Sequence, residues 1–141
     1  MCGLTGVLQQ QAGDGLAASV MAMTPALIHR GPDDGDTWVD SQRGVAIGHR
    51  RLSIIDLSAA GHQPMHSACG RYVIAFNGEI YNHLVLRDEL AAAGNAPMWR
   101  GTSDTETLLA CIAALGMRAT LERASGMFAI ALWDRAERRL H

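Results

Sequence analysis

The chain opens Met1-Cys2-Gly3, and a cysteine directly behind an initiator methionine can do what no internal cysteine can. Removing Met1 leaves one residue that carries both a thiol and a free α-amine. A neutral amine can take the thiol proton, directly or through water, and later return it to a departing ammonia. Nucleophile and base then sit on a single residue. Taken alone, Cys2 reads first as a small buried residue that begins a strand, so the weight falls on what accompanies it. No histidine stands out as a competing base; His49 lies two residues before Arg51, and strand alternation lets the two share a face. His62 and His66 are four apart, but Gly61 and Pro64 argue against a helix that would align them on a metal. All twelve basic residues are arginine, which removes lysine Schiff-base and lysine phosphate-clamp chemistry.

Six short segments follow one another along the chain: Met1-Cys2-Gly3, Arg30-Gly31-Pro32-Asp33, Gly48 to Ile54, Phe76 to Asn82, Ser103-Asp104-Thr105-Glu106, and Gly126-Met127-Phe128-Ala129. In this order and spacing they closely resemble the N-terminal glutaminase domain of asparagine synthetases, a class II glutamine amidotransferase of the N-terminal-nucleophile fold. The resemblance runs from Met1 to Leu140. It implies that Cys2 attacks the side-chain amide of glutamine and forms a thioester that water hydrolyses. It makes the Asn77 side chain and the Gly78 backbone N–H donors to the developing oxyanion, a kind of contact worth ~10² to 10³ in rate. Alone, Asn77-Gly78 would read as a type I′ hairpin turn. Arg51 is implied as the fork that holds the substrate α-carboxylate, because a guanidinium matches a carboxylate through two parallel hydrogen bonds. On a strand, Arg50 points to the other side. Glu79 and Asp104 are implied as partners of the α-ammonium, although Asp104 also suits a helix first turn. Backbone groups of Leu52, Ser53, Ile54 and Ile55 are expected to line the pocket, and Arg30 to Asp33 to shape it without doing chemistry.

The elements that must position these residues read as strands alternating with helices. Strands are expected at Gly3 to Gln9, Thr37 to Asp40, Val45 to His49, Leu52 to Leu57, Arg71 to Phe76 and Met127 to Trp133, the last covered on both faces. Leu16 to His29 reads as a helix that Pro25 should kink or end, with Met21 and Met23 as packing residues. Gly61 to Gly70 reads as a loop. A tight turn at Asn77-Gly78 should lead into a helix from Glu79 to about Ala93, stopped by Gly94-Asn95. Ser103 and Glu106 have capping-box spacing ahead of Leu108, Ile112 and Leu115. Asp134 to Arg139 reads as a polar turn, with Leu140-His141 beginning a hairpin partner. The fold class is layered α/β (α+β), and the resemblance makes it an αββα sandwich, truncated before its last strands.

At 141 residues, 48% of them hydrophobic, the chain can bury one core. A net charge of −2 with both signs scattered provides neither a basic stripe for nucleic acid nor an acidic tail. No apolar window approaches the ~20 residues of a membrane span, and a cytoplasmic location is expected. Cys2, Cys69 and Cys111 match no zinc pattern and are expected as free thiols, Cys111 in the core and Cys69 in a turn. Expected partners are L-glutamine and a synthetase domain of the same parent chain, with a homodimer as an option. No cofactor is expected in this domain; ATP and Mg belong to the synthetase domain. The acceptor of the ammonia, aspartate or another carboxylate, is not legible. A hydrolase of other amides and a catalytically silent docking module are the alternatives.

Overall fold

The computed structural model of the chain describes residues 2–10 and 15–141; removal of Met1 lies outside them. Gly3–Leu8 (β1), Asp34–Asp40 (β2) and Val45–Arg51 (β3) build a three-stranded antiparallel sheet in the order β1-β3-β2. Met65–His66 (β4), Tyr72–Ile80 (β5), Gly126–Asp134 (β6) and Arg139–Leu140 (β7) form a second antiparallel sheet in sequence order. Four α-helices complete the mixed α/β fold: Leu16–Met23 (α1), His83–Ala92 (α2), Asp104–Leu115 (α3) and Met117–Arg123 (α4).

Strand alternation decides which side chains meet. Val45 and Ile47 of β3 pack with Val73 and Ala75 of β5 and Trp133 of β6, joining the two sheets. Ala46, between them in sequence, packs instead with Leu16 and Val20 of α1. Ile74, Phe76 and Ile80 of β5 face Leu86 and Leu90 of α2 and Leu108, Leu109 and Ile112 of α3. Truncating Phe76, 2% exposed, should cost roughly 3–5 kcal/mol.

Several expectations shift by a few residues for identifiable reasons. The helix from Leu16 ends at Met23 and passes into a 3-10 turn, Thr24–Leu27, with Pro25 near its start, as the ring demands. Met21 and Met23 are exposed, not packed. Strand β2 begins earlier than expected and β3 runs on to Arg51. No strand follows at Leu52 to Leu57, where side chains take the first two backbone donors, Leu52 N–H by Cys2 Sγ and Ser53 N–H by Asp33, and Asp56 turns the chain by accepting from Ser58 N–H just beyond. The Gly61 to Gly70 loop contains the short strand β4.

The largest correction concerns Asn77-Gly78. No turn occurs there; β5 continues to Ile80, with Asn77 opposite Ala129 and Gly78 opposite Phe128 on β6. Helix α2 consequently starts at His83, four residues later than expected. Ser103 caps α3 by accepting from Thr105 N–H, but the capping box does not close, because Glu106 accepts from the Arg100 and Gly101 N–H groups instead. Leu115 is exposed, and β6 is buried only from Leu132 to Asp134, with Gly126 to Ala129 exposed. Helix α4 was not expected. The hairpin at the end is present: Asp134 gathers Arg71 and the Ala136 and Glu137 N–H groups, which closes the turn into β7. Its carboxyl is held at a pKa of about 2, chiefly by the Arg71 hydrogen bond.

Candidate active site

Cys2 stands just before β1, and the register that places Gly3 opposite Arg50 brings the thiol beside the end of β3. The Leu52 N–H donates to Cys2 Sγ at 3.3 Å, and the thiol donates to Leu52 O at 3.6 Å. Arg30 Nε donates to the Cys2 carbonyl at 3.0 Å. Arg50 points the other way from Arg51, donating to Gly31 O at 2.8 Å and Pro32 O at 3.2 Å, and Asp33 accepts from Ser53 N–H at 2.8 Å. Residues 30–33 thus hold both Cys2 and the Arg50 to Ser53 segment, and none of the four reaches the cavity wall.

That cavity has a volume of about 490 Å³ and is bounded by Cys2 and Arg51 on one side and by Asn77, Gly78, Glu79 and Asp104 on the other. Leu52, Ile54 and Ile55 also line it. Ser53 does not; its N–H is committed to Asp33. The Arg51 guanidinium is buried, with Nη1 donating to Ser58 O at 3.0 Å and Nη2 to Asp56 O. Those two carbonyls fix the plane of the fork.

On the opposite wall, β5 is flanked by β6 on one edge only, because β4 pairs no further than Ile74. Side chains take the place of a strand on the open edge. Gln63 Oε1 accepts from Phe76 N–H at 2.7 Å, His49 Nε2 donates to Phe76 O at 2.9 Å, and Asp104 Oδ2 accepts from Ile80 N–H at 2.9 Å. Alternate residues of a strand direct their N–H groups to the same edge, so Gly78 N–H, between those of Phe76 and Ile80, faces the cavity. A side chain at Gly78 would meet β6, since an added Cβ would lie 2.2 Å from Met127 O. Asn77 Oδ1 is buried without a hydrogen-bond partner. Burial raises the Asp104 pKa above the ordinary carboxylate value.

His49 is fully buried, and bonding to a carbonyl fixes the proton on Nε2. Burial lowers its pKa to about 4, and it is not among the cavity residues. Its work is to join β3 to β5. His62 does not pair with His66; its ring meets Asp34 at 2.8 Å and Asp36 at 3.2 Å. Burial opposes protonation there, but the two carboxylate hydrogen bonds prevail and raise the His62 pKa. Cys111 is buried in the helical core, which pushes its thiol up to about 11, whereas Cys69 lies exposed in a turn with its pKa lowered by the Ser67 hydroxyl. Among the described residues, no helix is long and apolar enough to cross a membrane.

Sequence reasoning missed Asp56, Gln63 and Phe128 on the cavity wall. A signal existed for Asp56, since Asp followed two residues later by Ser is a pattern of side-chain-stabilised turns. For Phe128 the Gly126 to Ala129 motif was a signal, though it carried no assigned role; none existed for Gln63, which reaches the cavity through its hydrogen bond with Phe76.

The Cys2 thiol, the buried Arg51 fork and the Gly78 edge of β5 thus face one cavity. Over residues 1–141 the chain matches the family described as glutamine amidotransferase domain, and it belongs to that family. A Mycobacterium tuberculosis protein, named provisionally as a glutamine-hydrolysing asparagine synthetase, is 45% identical over 153 residues, covering 99% of this chain and 23% of its own length. The glutamine-hydrolysing asparagine synthetase 1 of Bacillus subtilis is 38% identical, covering 100% of this chain and 22% of its own. The Gibberella zeae amidase chry2 is 36% identical, with 81% of this chain and 16% of its own length covered. The chain therefore spans about a fifth of the length of the curated relatives it matches, as their glutamine amidotransferase part.

Proposed function

We propose that this chain hydrolyses L-glutamine to glutamate and ammonia through a thioester on Cys2, and that the ammonia serves an ATP-dependent amidation of the asparagine synthetase type in a longer protein. The observation that carries the reading is the meeting of Cys2, Arg51, Asn77, Gly78, Glu79 and Asp104 on one cavity. Arg51 holds the substrate α-carboxylate, and Glu79 with Asp104 holds the α-ammonium, which leaves the side-chain amide at the thiol. The Cys2 sulfur attacks the amide carbon, while Asn77 Nδ2 and Gly78 N–H receive the developing oxyanion. As the tetrahedral intermediate collapses, the C–N bond breaks and ammonia departs with the proton that the α-amine took from the thiol. Water then attacks the thioester, the C–S bond breaks, and glutamate leaves with the thiol restored.

The succession of α1, the β1-β3-β2 sheet, the second sheet and α2 with α3 is read as the αββα sandwich of N-terminal-nucleophile enzymes, with further strands supplied by the parent chain. ATP and Mg are assigned to a synthetase domain beyond these residues, since no step above requires them. The amine's role is tested with one protein carrying a cleavable N-terminal tag. The uncleaved form should be inactive, because the α-nitrogen of Cys2 is then an amide, and cleavage that exposes Cys2 should restore glutamate release. Full activity before cleavage, with intact mass showing the tag in place, would rule the mechanism out.

A further inference from the structure

One carboxylate on the cavity wall has no part in the steps above, yet its bonds reach both ends of the site. Asp56 is 6% exposed. Its Oδ1 accepts from Ser58 N–H at 2.8 Å and from the Ser58 hydroxyl at 2.6 Å. This closes the turn whose Asp56 and Ser58 carbonyls hold the Arg51 guanidinium. Its Oδ2 accepts from Thr102 N–H at 2.7 Å, two residues before Asp104. The segment around Thr102 is already fastened to the helices: Glu106 takes the Arg100 and Gly101 N–H groups, and Arg87 donates to Gly101 O and Ser103 O. Among the described residues, the Asp56 to Thr102 bond is the one hydrogen bond between residues 51–61 and residues 100–104.

Resting on the substrate reading given above, we propose that Asp56 is a positioning residue that fixes the spacing between the Arg51 guanidinium and the Asp104 carboxylate, and so makes the site demand an amide bearing both an α-carboxylate and an α-ammonium. An arginine fork and a carboxylate select a zwitterion only when both ends can be engaged at once. A loop free to shift relative to residues 100–104 would let either end bind alone. The carboxylate suits this task because two oxygens can accept on two sides, whereas an asparagine has a single acceptor oxygen. Asp56→Asn therefore gives up one of the two ties while keeping size and shape.

The test compares kcat/KM for three amides in the full chain: L-glutamine, 4-aminobutanamide, which lacks the carboxylate, and glutaramate, which lacks the ammonium. Arg51→Ala should reduce discrimination against the first analogue only, and Asp104→Asn discrimination against the second only. Asp56→Asn should reduce both by about tenfold or more, with a smaller change in kcat for glutamine. Gly101→Ala attacks the same tie from the other side, because the added Cβ would lie 2.3 Å from Asp56 Oδ2. It should give the same double loss, and it carries the test should Asp56→Asn fail to fold. A merely structural role would lower all three substrates alike, leaving both ratios in place. Unchanged ratios, or the loss of only one, in the Asp56 and Gly101 variants would overturn the proposal. If the Arg51 and Asp104 variants themselves leave their ratios unmoved, the substrate reading falls, and the proposal with it.

Discussion

The two walls of the cavity differ in how their polar groups are accommodated. On the Arg51 wall almost every group has a partner: the guanidinium meets two carbonyls, Asp56 accepts three hydrogen bonds, and the thiol lies against both backbone groups of Leu52. On the Asn77 wall, Asn77 Oδ1 is buried without a partner and Asp104 carries a raised pKa through burial. An unmet buried polar group costs about 1–3 kcal/mol, so the second wall is held by the fold against its own preference. Both walls present groups to the cavity, but those of the first are held by hydrogen bonds within the chain, whereas the second leaves Asn77 Oδ1 without one.

Exchanging single residues should separate the walls. The largest effect is expected from Cys2→Ala, which should lower glutamate release by more than about 10³-fold with an unchanged melting temperature. Asn77→Ala should reduce kcat by ~10² to 10³ while leaving the chain at least as stable in denaturant, because the orphaned acceptor is removed. Arg51→Ala should do the reverse: KM for glutamine rises, and stability falls by about 1–3 kcal/mol as two carbonyls lose their donor. Equal destabilisation by the Asn77 and Arg51 variants would erase the contrast.

Acid should distinguish the walls as well. Asp104 must be ionised to hold an ammonium, so KM should fall as the pH rises through a pKa above the ordinary carboxylate value, and Asp104→Asn should flatten that limb. Asp56 behaves oppositely. Its hydrogen bonds from Ser58, outweighing burial, lower its pKa from 3.8 to about 2. Its contribution to stability is therefore complete above about pH 4 and is lost as the pH falls towards 2, which acid unfolding of the Asp56→Asn variant would check. The smallest effect is assigned to Arg50→Ala. Its side chain serves the Gly31 and Pro32 carbonyls on the far face, and KM should move by less than about threefold.

Legibility in the sequence followed the range of the forces involved. The Arg50/Arg51 division needed only strand alternation, and the break near Pro25 only a missing N–H; both are local, and both are present. Asn77-Gly78 misled because its local preference is a turn, whereas pairing with Ala129 and Phe128, some fifty residues on, holds it extended. Leu52 to Leu57 misled in the opposite sense: its apolar pattern suits a strand, but Cys2 and Asp33 take its first donors and Asp56 closes a turn onto Ser58. The cavity residues found in advance came from short motifs. Gln63 reaches its place through a bond to Phe76 and lies in no such motif.

The three cysteines also set the terms for chemical labelling. Cys111 is shut in the core with its thiol pushed up to about 11, so an alkylating reagent has neither access nor thiolate to work with in the folded chain. Cys69 is open to solvent with its thiol acidified by Ser67, and it will consume reagent in competition with Cys2. Mass increments counted on the intact chain will therefore overstate occupancy of the cavity, and a Cys69→Ser background makes the stoichiometry of an affinity label interpretable.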